Sequence, residues 1–227
     1  MVTYVEATAK SRRTPGVIPI HGTEGFEGMR KAGALTAQAL DILAEYVESG
    51  VPTAKLDQIA YEFGRDHGAV PATLFYKGYR HSICTSINHV VCHGIPDERG
   101  MREGDIVNID LTFIVDGWYG DSSRMYPVGE ISRKAERLIE VTYASLEAGL
   151  AAAKPGNTTG DIGAAIQAVA EGERMSVVRD FVGHGVGRLF HDEPNILHFG
   201  TPGTGVPIKP GMIFTIEPMI NLGKPHV

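Results

Sequence analysis

The sequence predicts an α+β domain made of two related halves. Two helical segments followed by short extended runs occur twice along the chain, and the residues predicted to start the paired helices are similarly spaced, Thr23 to Thr53 and Ser132 to Thr159. A repeat this long exceeds the roughly 20–50 residues of solenoid units, and it favours a pseudo-twofold domain with helices on one sheet face. With 227 residues, 43% of them hydrophobic, the chain can bury one full core.

The first half begins after an N-terminal arm. Residues 1–22 contain two prolines and two glycines without periodicity, which predicts a flexible or surface-wrapping arm. The domain proper is predicted to span 23–227. Its first helix starts at Thr23, carries glutamates in the first turn and ends by Gly50, and its second helix starts at Thr53.

Extended runs follow the second helix: ICTSINHVV, DIVNIDLTFIV and WYGDSSRMYPV. The Asp-Gly pair at 116–117 predicts a type I′ hairpin, which places Thr112 opposite Asp121 and Asp110 opposite Ser123. Because side chains alternate, Asp110 and Asp121 share one face as diagonal neighbours, while the other face is apolar. Diagonal neighbours stand roughly 7–8 Å apart, within joint reach of two cations about 3.5–4 Å apart.

Two interpretations of this aspartate pair stay open. Both carboxylates can simply face solvent on an exposed sheet face, as most acidic residues do. Against this, helices flank the strands and Tyr119 shares the acidic face, so two carboxylates under partial cover would be costly without cations. The setting favours the metal interpretation.

A second cluster is GHGVGRLFHDEP, residues 183–194. His184 lies between glycines that allow close backbone approach, and His191 follows seven residues later, ahead of Pro194. The spacing does not match the HExxH motif of helical zinc proteases. Packing or surface roles are expected for four other histidines: His21, His67, His198 and His226.

The second half ends in the runs MSVVRDFV and MIFTIEP, both predicted as strands. In the second run, Thr215 and Glu217 point to the same side, and Pro218 stops the ladder, so Glu217 is presented at a strand end. Its alternative role is an edge-strand charge that discourages aggregation.

Carboxylates with a single imidazole suit Mn, Fe, Co or Zn better than a thiolate-selecting metal. Two such ions can polarise a carbonyl and hold a hydroxide between them, which favours peptide hydrolysis. Glu217 is a candidate to take the proton from the attacking water, and His93 and His191 are candidates to hydrogen-bond the scissile amide.

Composition excludes several other classes of protein. A net charge of −6 supplies no basic field for nucleic acid. The basic residues near the N-terminus have no apolar segment behind them, and no apolar run approaches membrane-spanning length, which predicts a cytoplasmic protein. Cys84 and Cys92 lie eight residues apart in one predicted extended segment. They would then be roughly 26 Å apart, so reduced thiols are expected.

Four long runs together resemble the type I methionine aminopeptidases of bacteria: CTSINHVVCHGIP, GDIVNIDLTFIVDGWYGDSSRMY, GHGVGRLFHDEPNILH and KPGMIFTIEPMINLG. The likeness extends from about residue 23 to the end. It implies the pita-bread fold, in which two pseudo-twofold-related αβ halves share a central antiparallel sheet covered by helices. This fold agrees with the repeat described above.

The resemblance also implies roles for individual residues. The ligands of two divalent metal ions match Asp110, Asp121, His184 and Glu217. The two catalytic histidines that flank the substrate amide match His93 and His191. The pocket for the substrate methionine is lined by residues that match Tyr76, Tyr79, Cys84 and Phe190, and such soft, aromatic walls suit a thioether. Lys77 stands where many relatives carry histidine.

One departure from the family pattern concerns the C-terminus. Members of the family continue past the position of Val227 through another strand pair, which supplies a fifth ligand, a glutamate that bridges the two metals. We therefore expect that this chain lacks the C-terminal strands and that the second metal is weakly held.

The implied function is hydrolytic removal of the initiator methionine from nascent chains by a monomer, and the ribosome is a candidate transient partner. One rival is a prolidase or aminopeptidase P, but those enzymes generally carry a large extra N-terminal domain. The other is a non-catalytic module of the same fold that binds peptides or protein partners. Such modules tend to lose ligands, whereas the four matched ligands are intact here.

Overall fold

The computed structural model describes residues 2–8 and 12–227. Within them the helices are α1 (Thr23–Ala44), α2 (Thr53–Asp66), α3 (Arg133–Ala152) and α4 (Thr159–Gly172), with a short 3-10 helix at Tyr76–Gly78. The strands are β1 (Thr3–Glu6), β2 (Val17–Ile20), β3 (Val70–Pro71), β4 (Ile83–Ile87), β5 (Ile106–Val115), β6 (Trp118–Pro127), β7 (Ser176–Val177), β8 (Gly183–Gly185), β9 (Asp192–Ile196) and β10 (Ile220–Asn221).

The chain divides into two compact units. Unit 1 comprises Glu136–Val227 together with the described residues up to Glu24, and unit 2 comprises Gly25–Ala135. From α1 onwards the elements run helix, helix, strands and then helix, helix, strands again. This confirms the predicted order of elements.

Unit 2 is centred on the β5–β6 hairpin. The turn residues Asp116 and Gly117 have φ values of 52° and 79°, the left-handed backbone that a type I′ turn requires. The register confirms the sequence prediction, because Thr112 pairs with Asp121 and Asp110 pairs with Ser123. On its other side, β5 pairs antiparallel with both β4 and β3.

The apolar face of this sheet is covered by α1 and α2. Four alternate side chains of β5 are fully buried and belong to one core with residues of both helices: Val107, Ile109, Leu111 and Phe113. Burying each such side chain stabilises the fold by about 1.5–3 kcal/mol. Helix α1 approaches so closely that a Cβ at Gly120 would overlap the Ala32 carbonyl. The face that carries Asp110 is therefore the one turned away from the helices.

The segment that contains both cysteines is not one extended strand. Strand β4 ends at Ile87, and the chain reverses at Asn88, whose φ is 54° and whose side chain accepts a hydrogen bond from the Ile106 amide at 3.0 Å. The prediction that the two cysteines lie at opposite ends of a strand is therefore wrong. They lie near enough for Cys92 to contribute to a raised pKa of Cys84, and no disulfide joins them in the described residues.

Unit 1 contains α3 and α4 with three two-stranded sheets, β1–β2, β7–β10 and β8–β9. Helix α3 starts as predicted, since the Ser132 hydroxyl accepts a hydrogen bond from the Ala135 amide at 3.2 Å. The run MSVVRDFV contributes only β7. The run MIFTIEP forms no regular strand, and only Phe214 makes a bridge, to Gly185. The predicted strand end at Glu217 is therefore wrong.

The N-terminal segment lies along unit 1. Strands β1 and β2 pair in parallel, and the Tyr4 hydroxyl donates to the Pro207 carbonyl at 2.6 Å. Arg13 donates to Glu193 at 3.3 Å. These contacts agree with the surface-wrapping course, while the flexibility of the arm stays a prediction. Residues 1 and 9–11 of the arm lie outside the described part of the chain.

Candidate metal centre

Unit 2 holds two carboxylates on one face of its hairpin. Asp110 lies in the middle of β5, between Cys84 on β4 and Ser123 on β6. Asp121 lies opposite Thr112, whose hydroxyl donates to Asp121 Oδ1 at 2.7 Å. Thr112 is only 1% exposed, so this bond fixes the carboxylate from a rigid position.

Both carboxylates lie close enough to the Cys84 thiol to affect its pKa. Burial, together with smaller contributions from the negative charges of Asp110 and Asp121, raises the pKa of Cys84 to about 12. Both aspartates therefore act on one point of the β4 strand. The thiol stays protonated at neutral pH, so it behaves as a small apolar group.

Tyr79 and the loop of His93 border the same thiol. Burial raises the pKa of Tyr79 far above its ordinary value, and its hydroxyl contacts Cys84 as well as the Ile83 carbonyl at 2.9 Å and the Gly94 carbonyl at 3.1 Å. His93 is exposed and has a left-handed φ of 55°. The next residue, Gly94, accepts from Thr85 N–H at 2.9 Å, so the loop is anchored against β4.

Tyr76 stands on the short 3-10 helix three residues before Tyr79 and is exposed. Its neighbours Phe75 and Lys77 both have positive φ, 66° and 49°, which is uncommon for residues other than glycine. The Lys77 ammonium lies 5.3 Å from the centre of the Tyr76 ring, within the range of a cation–π contact.

Unit 1 holds one imidazole beside a carboxylate. His184 lies on β8 and is 6% exposed. Its Nδ1 lies 3.0 Å from the Gly185 carbonyl, which can only accept, so Nδ1 carries the proton and Nε2 the lone pair. Nε2 lies 3.6 Å from Glu217 Oε1. This separation suits two ligands of one cation better than a direct hydrogen bond.

Thr215 links the imidazole to the carboxylate. Its hydroxyl donates to Glu217 Oε1 at 2.6 Å and accepts from the backbone N–H of His184 at 3.0 Å. The prediction that Thr215 and Glu217 share one side is therefore confirmed, although a loop rather than a strand carries them. Gly183 is required here, because a Cβ would stand 2.5 Å from the Thr215 carbonyl.

His191 and Phe190 complete the cluster in unit 1. The ring of His191 lies 4.3 Å from the ring of His184 and 4.2 Å from the ring of Phe190, measured between centres. Phe190 meets His184 edge-on at 6.4 Å. One catalytic candidate, one ligand candidate and one pocket candidate therefore form a single ring cluster.

One residue of the site was missed from the sequence. His198, expected to have a packing role, is fully buried, and its Nε2 accepts a hydrogen bond from the Glu217 backbone N–H at 3.1 Å. Burial lowers the pKa of His198 to about 4, so the ring is neutral at neutral pH. No spacing in the sequence relates these two positions, and the leucine before His198 gives no signal either.

The structure thus groups the predicted residues within each unit. Unit 2 brings together Asp110, Asp121, Cys84, Tyr79 and the His93 loop, and unit 1 brings together His184, Glu217, His191 and Phe190. Over residues 2–8 and 12–227, neither unit arranges three or more His, Cys, Asp or Glu side chains to hold a metal ion. The oxygen-rich donors and the Nε2 lone pair nevertheless fit divalent transition metals.

Comparison with known proteins identifies the family. The model of metallopeptidase family M24 matches residues 27–226. A methionine aminopeptidase of Rickettsia prowazekii is 54% identical over 207 residues, 91% of this chain and 80% of the relative. The crystal structure of a methionine aminopeptidase from Rickettsia prowazekii superposes with a TM-score of 0.90 at 54% identity, covering 91% of this chain and 83% of that one.

The chain therefore belongs to metallopeptidase family M24 and, within it, to the methionine aminopeptidase branch. The pita-bread fold predicted from the sequence is confirmed.

Prolidases share the fold at much lower similarity. A prolidase from Pyrococcus horikoshii matches with a TM-score of 0.73 at 20% identity and covers 88% of this chain but 55% of its own. This likeness concerns the fold alone.

Proposed function

We propose that this protein is a metal-dependent methionine aminopeptidase that hydrolyses the first peptide bond of peptides beginning with methionine. The observation that carries the proposal is the orientation of His184. Its Nδ1 is held by a backbone carbonyl at 3.0 Å, so the lone pair is on Nε2, beside the Glu217 carboxylate at 3.6 Å. This tautomer is the one that metal-binding histidines adopt when the other nitrogen donates to the backbone.

The proposed ligands are Asp110 and Asp121 of unit 2 with His184 and Glu217 of unit 1. Threonine hydroxyls orient two of these carboxylates, Thr112 for Asp121 and Thr215 for Glu217. We expect two divalent ions, and the ligand types admit Mn, Fe, Co and Zn.

Bound divalent ions supply Lewis-acid polarisation of the scissile carbonyl and activation of the attacking water. Glu217, whose carboxylate Thr215 holds at Oε1, would accept a proton from the attacking water. His191 is held against His184 and Phe190 and donates a hydrogen bond to the scissile amide. His93 approaches the amide from its loop beside β4, where Gly94 is fixed by Thr85.

The methionine side chain is proposed to contact Tyr76, Tyr79, Cys84 and Phe190. Burial keeps both the phenol of Tyr79 and the thiol of Cys84 neutral. Neutral, polarisable groups with aromatic rings suit a thioether, which gains from sulfur–aromatic contacts of about 0.3–1.5 kcal/mol.

The test uses the full chain, stripped with a chelator and reloaded separately with Mn, Fe, Co or Zn. We expect release of methionine from Met-Ala-Ser only in the presence of metal, and no release of alanine from Ala-Ala-Ser. The matched pair of variants is Asp110→Asn and Asp116→Asn. Asp110 is a proposed ligand, whereas Asp116 lies in the turn of the same hairpin and forms an exposed ion pair with Lys31.

Asp110→Asn should abolish turnover and Asp116→Asn should retain it. The proposal fails if none of the four metals supports methionine release. Cleavage of Xaa-Pro dipeptides without release of methionine would indicate the prolidase alternative, and metal-dependent peptide binding without cleavage would indicate a binding module.

None of the helices in the described residues is long and apolar enough to cross a membrane. A cytoplasmic location, a monomeric state and contact with the ribosome stay predictions.

A further inference from the structure

The backbone at Glu217 has an unusual hydrogen-bond partner. Two residues earlier, Thr215 N–H donates to the His184 carbonyl at 2.8 Å, and two residues later the Met219 carbonyl accepts from Val178 N–H at 3.0 Å. Between these points, the Glu217 N–H donates to the side chain of His198 at 3.1 Å rather than to a neighbouring carbonyl. His198 thus takes the place that a neighbouring strand would occupy.

The protonation of His198 follows from this contact. Because Nε2 accepts an N–H, the proton of the neutral ring is on Nδ1. Nδ1 is buried and has no hydrogen-bond partner among the described residues. An unsatisfied buried donor costs about 1–3 kcal/mol. A leucine would fill the same space without that cost, so packing alone does not account for a histidine here.

Two hydrogen bonds, the points at which Glu217 is held, therefore define its position. Thr215 holds the carboxylate at Oε1, and His198 holds the backbone from which the side chain extends. Loss of the second point would leave the Glu217 N–H without its partner beside Pro218, which has no N–H of its own. The carboxylate would then be free to rotate away from the His184 ring.

We propose that His198 is a positioning residue that holds Glu217 in the geometry required to ligate metal. The inference rests on the proposed role of Glu217 as a ligand. His198 itself is not proposed to contact metal or substrate. Removing partners of this kind typically weakens metal affinity about 10–100-fold.

The design uses three substitutions that differ in reach. The side-chain oxygen of glutamine lies as many bonds from Cβ as Nε2 of histidine, so His198→Gln can still accept the Glu217 N–H. The oxygen of His198→Asn is one bond shorter and matches Nδ1, and His198→Leu has no acceptor. Asparagine and glutamine therefore differ in length but not in chemistry.

The readouts are Mn²⁺ affinity and stoichiometry by calorimetry on the chelator-treated full chain, the visible absorption of the Co²⁺-loaded protein, and kcat and KM for Met-Ala-Ser. We expect His198→Gln to match the unaltered chain. His198→Asn and His198→Leu should bind Mn²⁺ about 10–100-fold more weakly. Both should also show an altered Co²⁺ spectrum and a lower kcat with little change in KM, because the methionine pocket is untouched.

Unchanged Mn²⁺ affinity in folded His198→Asn or His198→Leu overturns the proposal, and so does a His198→Gln protein as impaired as the leucine variant. Near-ultraviolet circular dichroism establishes folding. If the asparagine and leucine variants do not fold, the test depends on His198→Gln alone. That variant must bind Mn²⁺ as tightly as the unaltered chain, and weaker binding overturns the proposal.

Glu217→Gln separates this inference from the proposed function. If Glu217→Gln leaves metal binding intact, the proposed ligand set is wrong. If Glu217→Gln weakens binding while every His198 variant retains it, only the positioning role is wrong.

Discussion

The hydroxyl of Thr215 offers a sharp perturbation of the site in unit 1, because one atom serves two proposed ligands. It donates to Glu217 Oε1 at 2.6 Å and accepts from the His184 N–H at 3.0 Å. Thr215→Val removes both bonds and preserves the shape of the side chain. Any change in metal binding should therefore come from the two lost hydrogen bonds and not from altered packing.

The magnitude follows from the chemistry of the two bonds. A hydrogen bond to a charged group contributes about 1.5–3 kcal/mol, and an orphaned backbone N–H costs about 1–3 kcal/mol. The two hydrogen bonds are also lost in the metal-free protein, so part of this free energy cancels when metal binding is measured. Metal affinity is therefore expected to fall about 10–100-fold, the usual range for losing such a partner.

The assay is calorimetric titration of Mn²⁺ into metal-free Thr215→Val, with Thr215→Ser and Thr85→Val as controls. Serine keeps the hydroxyl, so its affinity should stay close to that of the unaltered chain. Thr85 is a buried threonine whose Oγ1 has no hydrogen-bond partner among the described residues, so the same substitution there should not weaken binding. If Thr215→Val binds Mn²⁺ as tightly as Thr85→Val, the proposed arrangement of Glu217 and His184 is refuted.

Three further outcomes are expected. Thr112→Val removes the 2.7 Å bond to Asp121 and should weaken Mn²⁺ binding about 10–100-fold in the same titration. Gly120→Ala places a Cβ against the backbone of α1 and should destabilise the fold by about 1–3 kcal/mol in urea denaturation. Hydrogen bonds from Thr158 N–H, then from its hydroxyl and from Gly203 N–H, lower the pKa of the Asp161 carboxyl. Its charge therefore stabilises the fold fully above the unfolded pKa of about 3.9 and ceases to do so as pH falls through the lower folded value. The difference in thermal midpoint between the unaltered chain and Asp161→Asn should shrink over that acidic range.

Each of these outcomes has its own control. Thr112→Ser should bind Mn²⁺ normally, and equal affinity of Thr112→Val and Thr85→Val would contradict the role of the hydroxyl. For Gly120→Ala the control is Gly33→Ala on α1, where the added Cβ meets nothing within 4 Å and should be neutral or slightly stabilising. An equal loss of unfolding free energy in both alanine variants would contradict the close contact at Gly120. A difference for Asp161→Asn that stays constant down to the most acidic pH would contradict the linkage.

The hairpin face of the site could be predicted from sequence because its determinants are local. The Asp-Gly turn fixes the register of β5 and β6, and alternation then places Asp110 and Asp121 on one face. The hydroxyl of Thr112 follows from the same register. The family was predicted correctly as well, since its motifs are long and ordered.

The features that sequence reasoning missed depend on contacts between distant segments. Asn88 reverses the chain after β4 because its side chain and backbone bond to Ile106. An alternating pattern cannot reveal this. Glu217 lies in irregular backbone, where His198 rather than a neighbouring strand accepts its N–H. The joint role of the four proposed ligands stays a prediction.

The most direct test is a crystal structure of the Mn²⁺-loaded protein with anomalous difference density at the manganese edge. We predict two peaks about 3.5–4 Å apart. Oxygens of Asp110, Asp121 and Glu217 and the Nε2 of His184 should lie within bonding distance of them. Manganese bound elsewhere, or held by the aspartates without His184 and Glu217, would contradict the assignment.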